Sequence, residues 1–132
     1  METIAPHPYR SALENRDARA LLEALHPAVV FHSPAFEEPI RGRGNVVELF
    51  AILAAVLEDP EITDELAGEG TRAVVFRASV EGQRIDGVDY LKLDEAGRVR
   101  RITVMMRPLA SLEALAERMR DTVARLSRTA AP

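Results

Sequence analysis

The sequence predicts an α+β fold in which helices cover one face of a curved sheet. Three observations indicate this class. Helical patterns and one lone strand fill the first half of the chain, and three strand-like runs follow between residues 71 and 107, joined by short turns that contain glycine. One further amphipathic helix follows those strands. Helices grouped around a run of antiparallel strands are typical of α+β proteins.

Composition narrows the class of protein. The 132 residues, 47% of them hydrophobic and 29% charged, fit one globular domain over residues 1–132, with a folded core over 9–120 and flexible ends at 1–8 and 127–132. The absence of cysteine excludes disulfides, thiolate catalysis and cysteine-bound zinc. We expect a soluble cytoplasmic protein, because neither a secretory signal nor an apolar run of about 18 residues is present.

The charge pattern argues against two kinds of partner. The net charge is −4, the basic residues are scattered, and aromatic residues make up only 5% of the chain. Nucleic-acid surfaces need a basic stripe or stacking aromatics, so no nucleic-acid partner is predicted. The absence of a long apolar run likewise predicts no membrane partner.

The first half of the chain predicts two helical regions around one strand. The segment YRSALENRDARALLEALHP predicts a helix that ends at Pro27, and a break near Asn15–Asp17 would divide it into two short helices. AVVFHSP predicts a strand that ends at Pro34. AFEEPIRGRG predicts a loop, and NVVELFAILAAVLED predicts a helix with a wide apolar face.

The second half predicts a sheet and a last helix. A strand is expected at Ile62–Ala67, followed by the strands TRAVVFRASV, RIDGVDYLKLD and RVRRITVMMR. Pro108 ends the sheet. Ser111 is expected to cap the final helix, with Glu113 in its first turn and an apolar stripe that reaches Val123 and Leu126.

One carboxylate interrupts a buried strand face. Side chains alternate along a strand, so RIDGVDYLKLD places Asp89 on the same face as the apolar residues before and after it. Burial raises a carboxyl pKa, and such a group can serve as a general acid or donate a hydrogen bond to a ligand. The alternative is a structural acid satisfied by Tyr9, Arg43 or a backbone amide. Both interpretations remain open at this stage.

The phrases VVFHSPAFEEPIRGR and VDYLKLDEAGRVRRITVMMRP, in this order, resemble the SnoaL-like proteins of the nuclear transport factor 2-like superfamily. The resemblance covers roughly residues 9–120. It implies a cone-shaped barrel, in which a strongly bent mixed sheet wraps around N-terminal helices with an extra C-terminal helix. It also implies an apolar pocket for a small hydrophobic ligand, and a homodimer formed through the outer sheet face.

Within that superfamily, the acids Asp86 and Asp89 and the hairpin DEAGR resemble ketosteroid isomerase. The resemblance implies that Asp89 is a protonated donor to a developing oxyanion, with Tyr9 near the place of the assisting tyrosine. The isomerase's base, however, precedes the proline that ends the first strand, and here that residue is Ser33. A neutral hydroxyl cannot take a carbon-bound proton near pH 7, so this mechanism is disfavoured. Epoxide hydrolysis of the limonene type is also unsupported, because the matching strand positions are apolar.

The candidate site combines these residues. The candidate catalytic residues are Asp89, Tyr9 and Ser33. Ser33 is favoured as a strand-end hydroxyl, and Tyr9 either caps the pocket or lies on the core. The apolar pocket is predicted to be lined by Val29, Phe31, Val74, Phe76, Ala78, Ile85, Gly87, Leu91, Ile102, Val104 and Met106.

The remaining polar residues are assigned no chemistry. The three histidines lack metal-ligand spacing, so no metal site is predicted, and no cofactor is expected. His7 and His26 are expected in solvent. Glu37 and Glu38 are expected on a solvated loop at the pocket mouth.

The predicted function is binding of a small hydrophobic molecule, polyketide-like or steroid-like, in an apolar pocket. If the protein is an enzyme, we expect cofactor-free acid/base chemistry of the isomerase, cyclase, dehydratase or hydrolase type. The alternative is a non-catalytic ligand-binding or dimerisation module, which the serine at the base position favours.

Overall fold

The structure, a computed structural model, describes residues 4–130, with side chains for residues 4–122. The described part forms four helices and six strands. The helices are α1 (Pro8–Glu14), α2 (Ala18–Ala24), α3 (Arg43–Val56) and α4 (Leu109–Ala130). The strands are β1 (Leu25–His32), β2 (Ile40–Arg41), β3 (Glu58–Gly68), β4 (Thr71–Val80), β5 (Gln83–Leu93) and β6 (Val99–Arg107).

The six strands form one mixed sheet in the order β2-β1-β6-β5-β4-β3. β1 and β6 are parallel, and the other neighbouring pairs are antiparallel. The sheet curves around the helices, and the predicted α+β cone is confirmed. β5 lies in the middle of the long antiparallel part, so a residue on its inner face is enclosed by strands on both sides.

The break predicted near Asn15–Asp17 is confirmed. α1 ends at Glu14 and Asn15 is its C-cap. Arg16 adopts a left-handed backbone conformation with φ of 52°, and Asp17 caps α2 by accepting a hydrogen bond from the Ala20 amide at 3.0 Å. These features turn the chain sharply between the two helices. The turn fixes the direction of α1, whose residue Tyr9 lies in the core.

Local turn chemistry sets the register of the hairpins. Between β4 and β5, Glu81 and Gly82 both have positive φ, 50° and 75°, which matches the right-handed twist of the two strands. Between β5 and β6, the Asp94 carboxylate accepts hydrogen bonds from the Ala96 and Arg98 amides, both at 2.9 Å. With this register, Asp89 faces Val74 on one side and Val104 on the other.

Four element predictions need correction. The helix predicted to end at Pro27 ends at Ala24, and β1 begins at Leu25 and includes Pro27. β3 begins at Glu58 rather than at residue 62, because this edge strand is exposed on most of both faces and shows no clear alternation. A short strand, β2, lies in the predicted loop. Ser111 does not cap α4, which begins at Leu109. The Ser111 hydroxyl instead donates a hydrogen bond to the Arg84 carbonyl at 2.8 Å, and Glu113 lies beyond the first turn.

Both chain ends also differ from expectation. His7 is buried rather than solvated, and it caps α1 by accepting a hydrogen bond from the Tyr9 amide at 3.0 Å. The predicted flexible segment 1–8 therefore includes residues that fix α1, while residues 1–3 lie outside the described part. The backbone of α4 runs to Ala130, and residues 131–132 and the side chains of Val123 and Leu126 lie outside the described part.

Buried apolar side chains form two clusters. One lies under α1 and α2, and the other lies under α4. Leu49, Phe76 and Met106 pack against both clusters. The inner face of the sheet is thus filled at its two ends. Some members of both clusters, together with the residues that pack against both, line the cavity described below. Within residues 4–130, no helix is long and apolar enough to cross a membrane.

Candidate functional site

A cavity of about 670 Å³ opens between the sheet and the helices. Its walls are mostly apolar. Apolar lining residues include Phe31, Ile40, Leu49, Phe50, Leu53, Leu57, Ile62, Val74, Phe76, Val104, Met106, Leu112, Leu115 and Met119. Its volume lies within the range of small-molecule sites.

The predicted pocket residues fall into two groups. Phe31, Val74, Phe76, Val104 and Met106 line the cavity. The other six do not: Val29, Leu91 and Ile102 lie in the cluster under α1 and α2, Ile85 lies in the cluster under α4, Ala78 is buried beside Ile85, and Gly87 lies under the Phe76 ring. The alternation of side chains along a strand correctly predicts which residues face the helices. The helices, however, leave only the middle part of that face open to the cavity.

Gly87 has a specific role in shaping this space. A Cβ atom at this position would collide with the Phe76 ring on the neighbouring strand. The absence of a side chain at Gly87 therefore lets the Phe76 ring lie against the sheet, where it forms part of the cavity wall.

Asp89 lies inside the cavity wall with Tyr9 beside it. Asp89 is 5% exposed, and the buried Tyr9 hydroxyl donates a hydrogen bond to its Oδ2 atom at 2.7 Å. Tyr9 does not line the cavity; its ring packs edge-on against Phe50 with 6.0 Å between the ring centroids. The second carboxylate oxygen, Oδ1, has no hydrogen-bond partner among the described side chains and backbone groups.

Burial changes the proton affinity of both groups. Burial raises the pKa of Asp89 from 3.8 to about 6, and the hydrogen bond from Tyr9 opposes that rise by stabilising the carboxylate. The pKa of Tyr9 is raised well above its usual value of 10.0, first by burial and then by the charge of Asp89. The phenol therefore stays protonated, and Asp89 is the member of the pair that exchanges a proton near neutral pH.

The N-terminal segment holds Tyr9 against Asp89. The His7 amide donates a hydrogen bond to the buried Glu65 carboxylate at 3.1 Å, and a His7 ring nitrogen is 2.7 Å from the Gly97 carbonyl. Arg72 binds the same Glu65 oxygen at 2.7 Å and also donates to the Ala5 carbonyl. The start of α1 is therefore attached to β3, β4 and the β5–β6 turn.

Ser33 lines the same cavity, but its side-chain oxygen binds backbone amides of the following loop. The Ser33 Oγ atom accepts hydrogen bonds from the Ala35 amide at 3.0 Å and the Phe36 amide at 3.3 Å. This side-chain turn directs the chain after β1. The structure thus brings Asp89 and Tyr9 together and places Ser33 on the cavity wall with its hydroxyl engaged in the loop.

Four exposed ionisable side chains complete the lining. Glu14 forms an ion pair with Arg10 at 3.4 Å, and Glu61 forms one with Arg77 at 2.9 Å. Arg16 and Arg120 also line the cavity. The predicted mouth residues Glu37 and Glu38 are exposed and do not line it.

The sequence matches a model of the SnoaL-like domain over residues 8–102. This span is well over half of the chain. The chain belongs to the SnoaL-like domain family. No curated protein matches the sequence.

Solved structures agree with this membership. A steroid delta-isomerase from Pseudomonas aeruginosa is 31% identical, with a TM-score of 0.83 over 93% of this chain and 90% of that one. Two others share the fold. A bacterial protein with a cystatin-like fold from Silicibacter pomeroyi is 22% identical (TM-score 0.85; 92% and 86% covered), and a protein with a ketosteroid isomerase-like fold from Catenulispora acidiphila is 14% identical (TM-score 0.65; 86% and 95% covered).

Sequence reasoning missed much of the helical wall of this SnoaL-like protein. α3 contributes Leu49, Phe50 and Leu53, and α4 contributes Leu112, Leu115 and Met119. The wide apolar face of α3 was a usable signal, because it exceeds what one packed layer needs. No comparable signal marked α4, whose apolar stripe also fits a helix packed on a closed core. Among the described residues, no group of three or more metal-ligating side chains is present.

Proposed function

We propose that this SnoaL-like protein binds a small apolar molecule in the cavity and holds it by one hydrogen bond to Asp89. The observation that carries the proposal is a single buried carboxyl, with one oxygen that accepts no hydrogen bond from the described residues, in the wall of a mostly apolar cavity. A hydroxyl or carbonyl oxygen of a ligand in the cavity would give this carboxyl oxygen a hydrogen-bond partner. A polyketide-like or steroid-like skeleton fits the volume and the lining.

A second candidate is cofactor-free proton transfer by Asp89, of the isomerase or cyclase type. The observation in its favour is the pKa of about 6, which suits a group that exchanges protons near neutral pH. The similar Pseudomonas aeruginosa protein is named a steroid delta-isomerase. Two observations argue against a mechanism with a separate acid and base. The other ionisable lining residues are exposed at the mouth, and the Tyr9 hydroxyl already donates its hydrogen bond to Asp89. Binding is therefore the function that we favour.

Two aromatic probes with the same apolar body test the hydrogen bond. Naphthol can donate to an ionised Asp89, whereas acetonaphthone has only an acceptor and requires the protonated form. We expect acetonaphthone to bind more tightly at about pH 5 than at about pH 8, with the change centred near the pKa of Asp89. The affinity for naphthol should decrease less when the pH is raised over the same range. Isothermal titration calorimetry measures both affinities.

Two variants make this test decisive. Asp89→Asn keeps the size of the side chain but cannot titrate, so it should remove the pH dependence for acetonaphthone. Val104→Phe places a ring beside Asp89 in the cavity and should weaken both probes at every pH. Unchanged pH dependence in Asp89→Asn would show that Asp89 does not contact the ligand. Unchanged binding in Val104→Phe would show that the probes bind elsewhere.

We also propose that the outer sheet face forms a homodimer. Val75, Val88 and Met105 are aligned across three neighbouring strands on that face, and Met105 is 54% exposed. A continuous apolar row on a sheet surface favours burial against a second copy. Met105→Asp should shift the mass in light scattering from dimer to monomer, whereas Leu109→Asp, at an exposed site on α4, should not. A monomeric parent protein would contradict the proposal.

A cytoplasmic location stays a prediction.

A further inference from the structure

The charges at the cavity mouth are not balanced. Both acidic lining residues, Glu14 and Glu61, already have arginine partners that are not part of the lining. Arg16 and Arg120 are exposed, and neither forms an ion pair or a side-chain hydrogen bond with any residue whose side chain is described. The apolar cavity therefore opens past two arginines that have no ionic partner among the side chains of residues 4–122.

The backbone at Arg16 has a conformation that is uncommon for its residue type, and among the described non-glycine residues only Asp59 and Glu81 share its positive φ. The φ of Arg16, 52°, lies in the left-handed region, directly after Asn15, the C-cap of α1. Glycine or asparagine is preferred at this position because a Cβ atom is disfavoured there. The chain instead has an arginine, whose backbone conformation is unfavourable for its type. Strained positions of this kind are often associated with function.

Asp89 also limits where a charged ligand group can lie. A carboxyl in the cavity wall repels an anion, so an anionic group of a bound molecule is disfavoured near Asp89 and favoured near the arginines. The guanidinium group is planar and offers paired donors that match carboxylate, sulfonate and phosphate oxygens. The lining is thus suited to a molecule that is apolar along its body and anionic at one end.

We propose that the ligand is an amphipathic anion, whose acidic group is bound by Arg16 and Arg120 at the mouth while its apolar body fills the cavity. The inference rests on the proposed binding function and adds the chemical class of the ligand to it. Carboxylate, sulfonate and phosphate groups all fit this description, since arginine recognises the oxygens that they share.

A matched pair of fluorescent probes tests the inference. Anilinonaphthalene sulfonate and phenylnaphthylamine share one apolar skeleton and differ by the sulfonate, and both brighten when they leave water. We expect the full chain to bind the sulfonate more tightly than the neutral probe. High salt should weaken binding of the sulfonate and leave binding of the neutral probe nearly unchanged.

Three substitutions assign the effect to residues. Arg16→Gly removes the cation and places the preferred residue at a left-handed position, so its melting temperature should be unchanged or higher. Arg120→Gln removes the second cation. Each should raise the dissociation constant of the sulfonate by roughly three- to tenfold without affecting the neutral probe. Arg118→Gln is the control, because Arg118 lies on the same helix, pairs with Glu81 and does not line the cavity.

The outcomes separate the two proposals. Binding of the neutral probe, with no advantage for the sulfonate or no loss in Arg16→Gly and Arg120→Gln, would overturn the anion inference alone. Failure of both probes to bind would overturn the apolar site and the inference together. If Arg118→Gln weakened binding of the sulfonate equally, the effect would come from the general charge of the surface, and this result would also overturn the inference.

Discussion

Two buried carboxylates of this protein are treated in opposite ways. The Glu65 side chain is 1% exposed and lies among Arg72, Arg10 and the His7 amide. Asp89 is equally enclosed, but its partner is the neutral phenol of Tyr9. Cations surround the first carboxylate, whereas an apolar cavity borders the second.

The difference separates a structural acid from a candidate functional one. Neighbouring cations offset the cost of burying charge at Glu65, and this carboxylate links the N-terminal segment to β3 and β4. At Asp89 one hydrogen bond offsets only part of that cost, so the pKa is raised. A fold without a use for this carboxyl would gain stability by replacing it, which is why we propose Asp89, and not Glu65, as the ligand contact.

The largest expected effect is the loss of the Glu65 charge. In Glu65→Gln, the partly buried Arg72 loses its counter-charge and Arg10 keeps only Glu14, so we expect the free energy of unfolding to fall by roughly 3 kcal/mol. Urea denaturation at neutral pH measures the change. Glu61→Gln is the matched control on the same strand, since Glu61 and Arg77 are both about half exposed, and it should change stability by less than about 1 kcal/mol. Equal effects of the two variants would contradict the structural role of Glu65.

The second prediction has the opposite sign. Raising the pKa of Asp89 from 3.8 to about 6 corresponds to a cost of roughly 3 kcal/mol for the ionised form. Asp89→Asn removes that charge and keeps an oxygen that can accept from Tyr9. We therefore expect a gain of roughly 2 kcal/mol in the free energy of unfolding at about pH 8.

The pH dependence of this gain follows from linkage. Because the folded protein holds the Asp89 proton more tightly than the unfolded chain, its contribution to stability is full below pH 3.8 and is lost as pH rises through about 6. The advantage of Asp89→Asn over the parent protein should grow across this window and stay constant above it. Urea titrations at several pH values measure this advantage, and a gain that is independent of pH would contradict the raised pKa.

The same comparison shows how far the sequence could lead. Strand parity placed Asp89 on the inner face because β5 alternates regularly between buried and half-buried residues. Nothing comparable marked Glu65, which lies on an edge strand whose neighbours are mostly exposed. Its burial depends on His7 and Arg72, which are 58 and 7 residues away in the chain. Local patterns report which face a residue occupies and not which distant groups meet it there.

The cavity shows a related limit. Parity could identify the inner face of the sheet, and the resemblance to SnoaL-like proteins supplied the cone. Neither could show that the helices cover Val29 and Ile102 at one end and Ile85 at the other. Where a curved sheet stays open depends on how helices pack across it, and that is decided by side chains from α3 and α4 together.

The smallest expected effect comes from Tyr9, which connects the surroundings of the two buried acids: its hydroxyl donates to Asp89, and its amide donates to His7, which binds Glu65. Tyr9→Phe keeps the ring that packs against Phe50 but removes the hydrogen bond to Asp89. That bond holds down the pKa of Asp89, so its loss should raise this pKa above about 6. We expect a loss of about 1 kcal/mol in the free energy of unfolding at neutral pH and a smaller loss at about pH 5, where Asp89 is mostly protonated. NMR titration of the Asp89 carboxyl carbon in both proteins measures the shift. An unchanged or lower pKa would mean that Tyr9 does not stabilise the carboxylate, and the contrast between the two buried acids would then rest on burial alone.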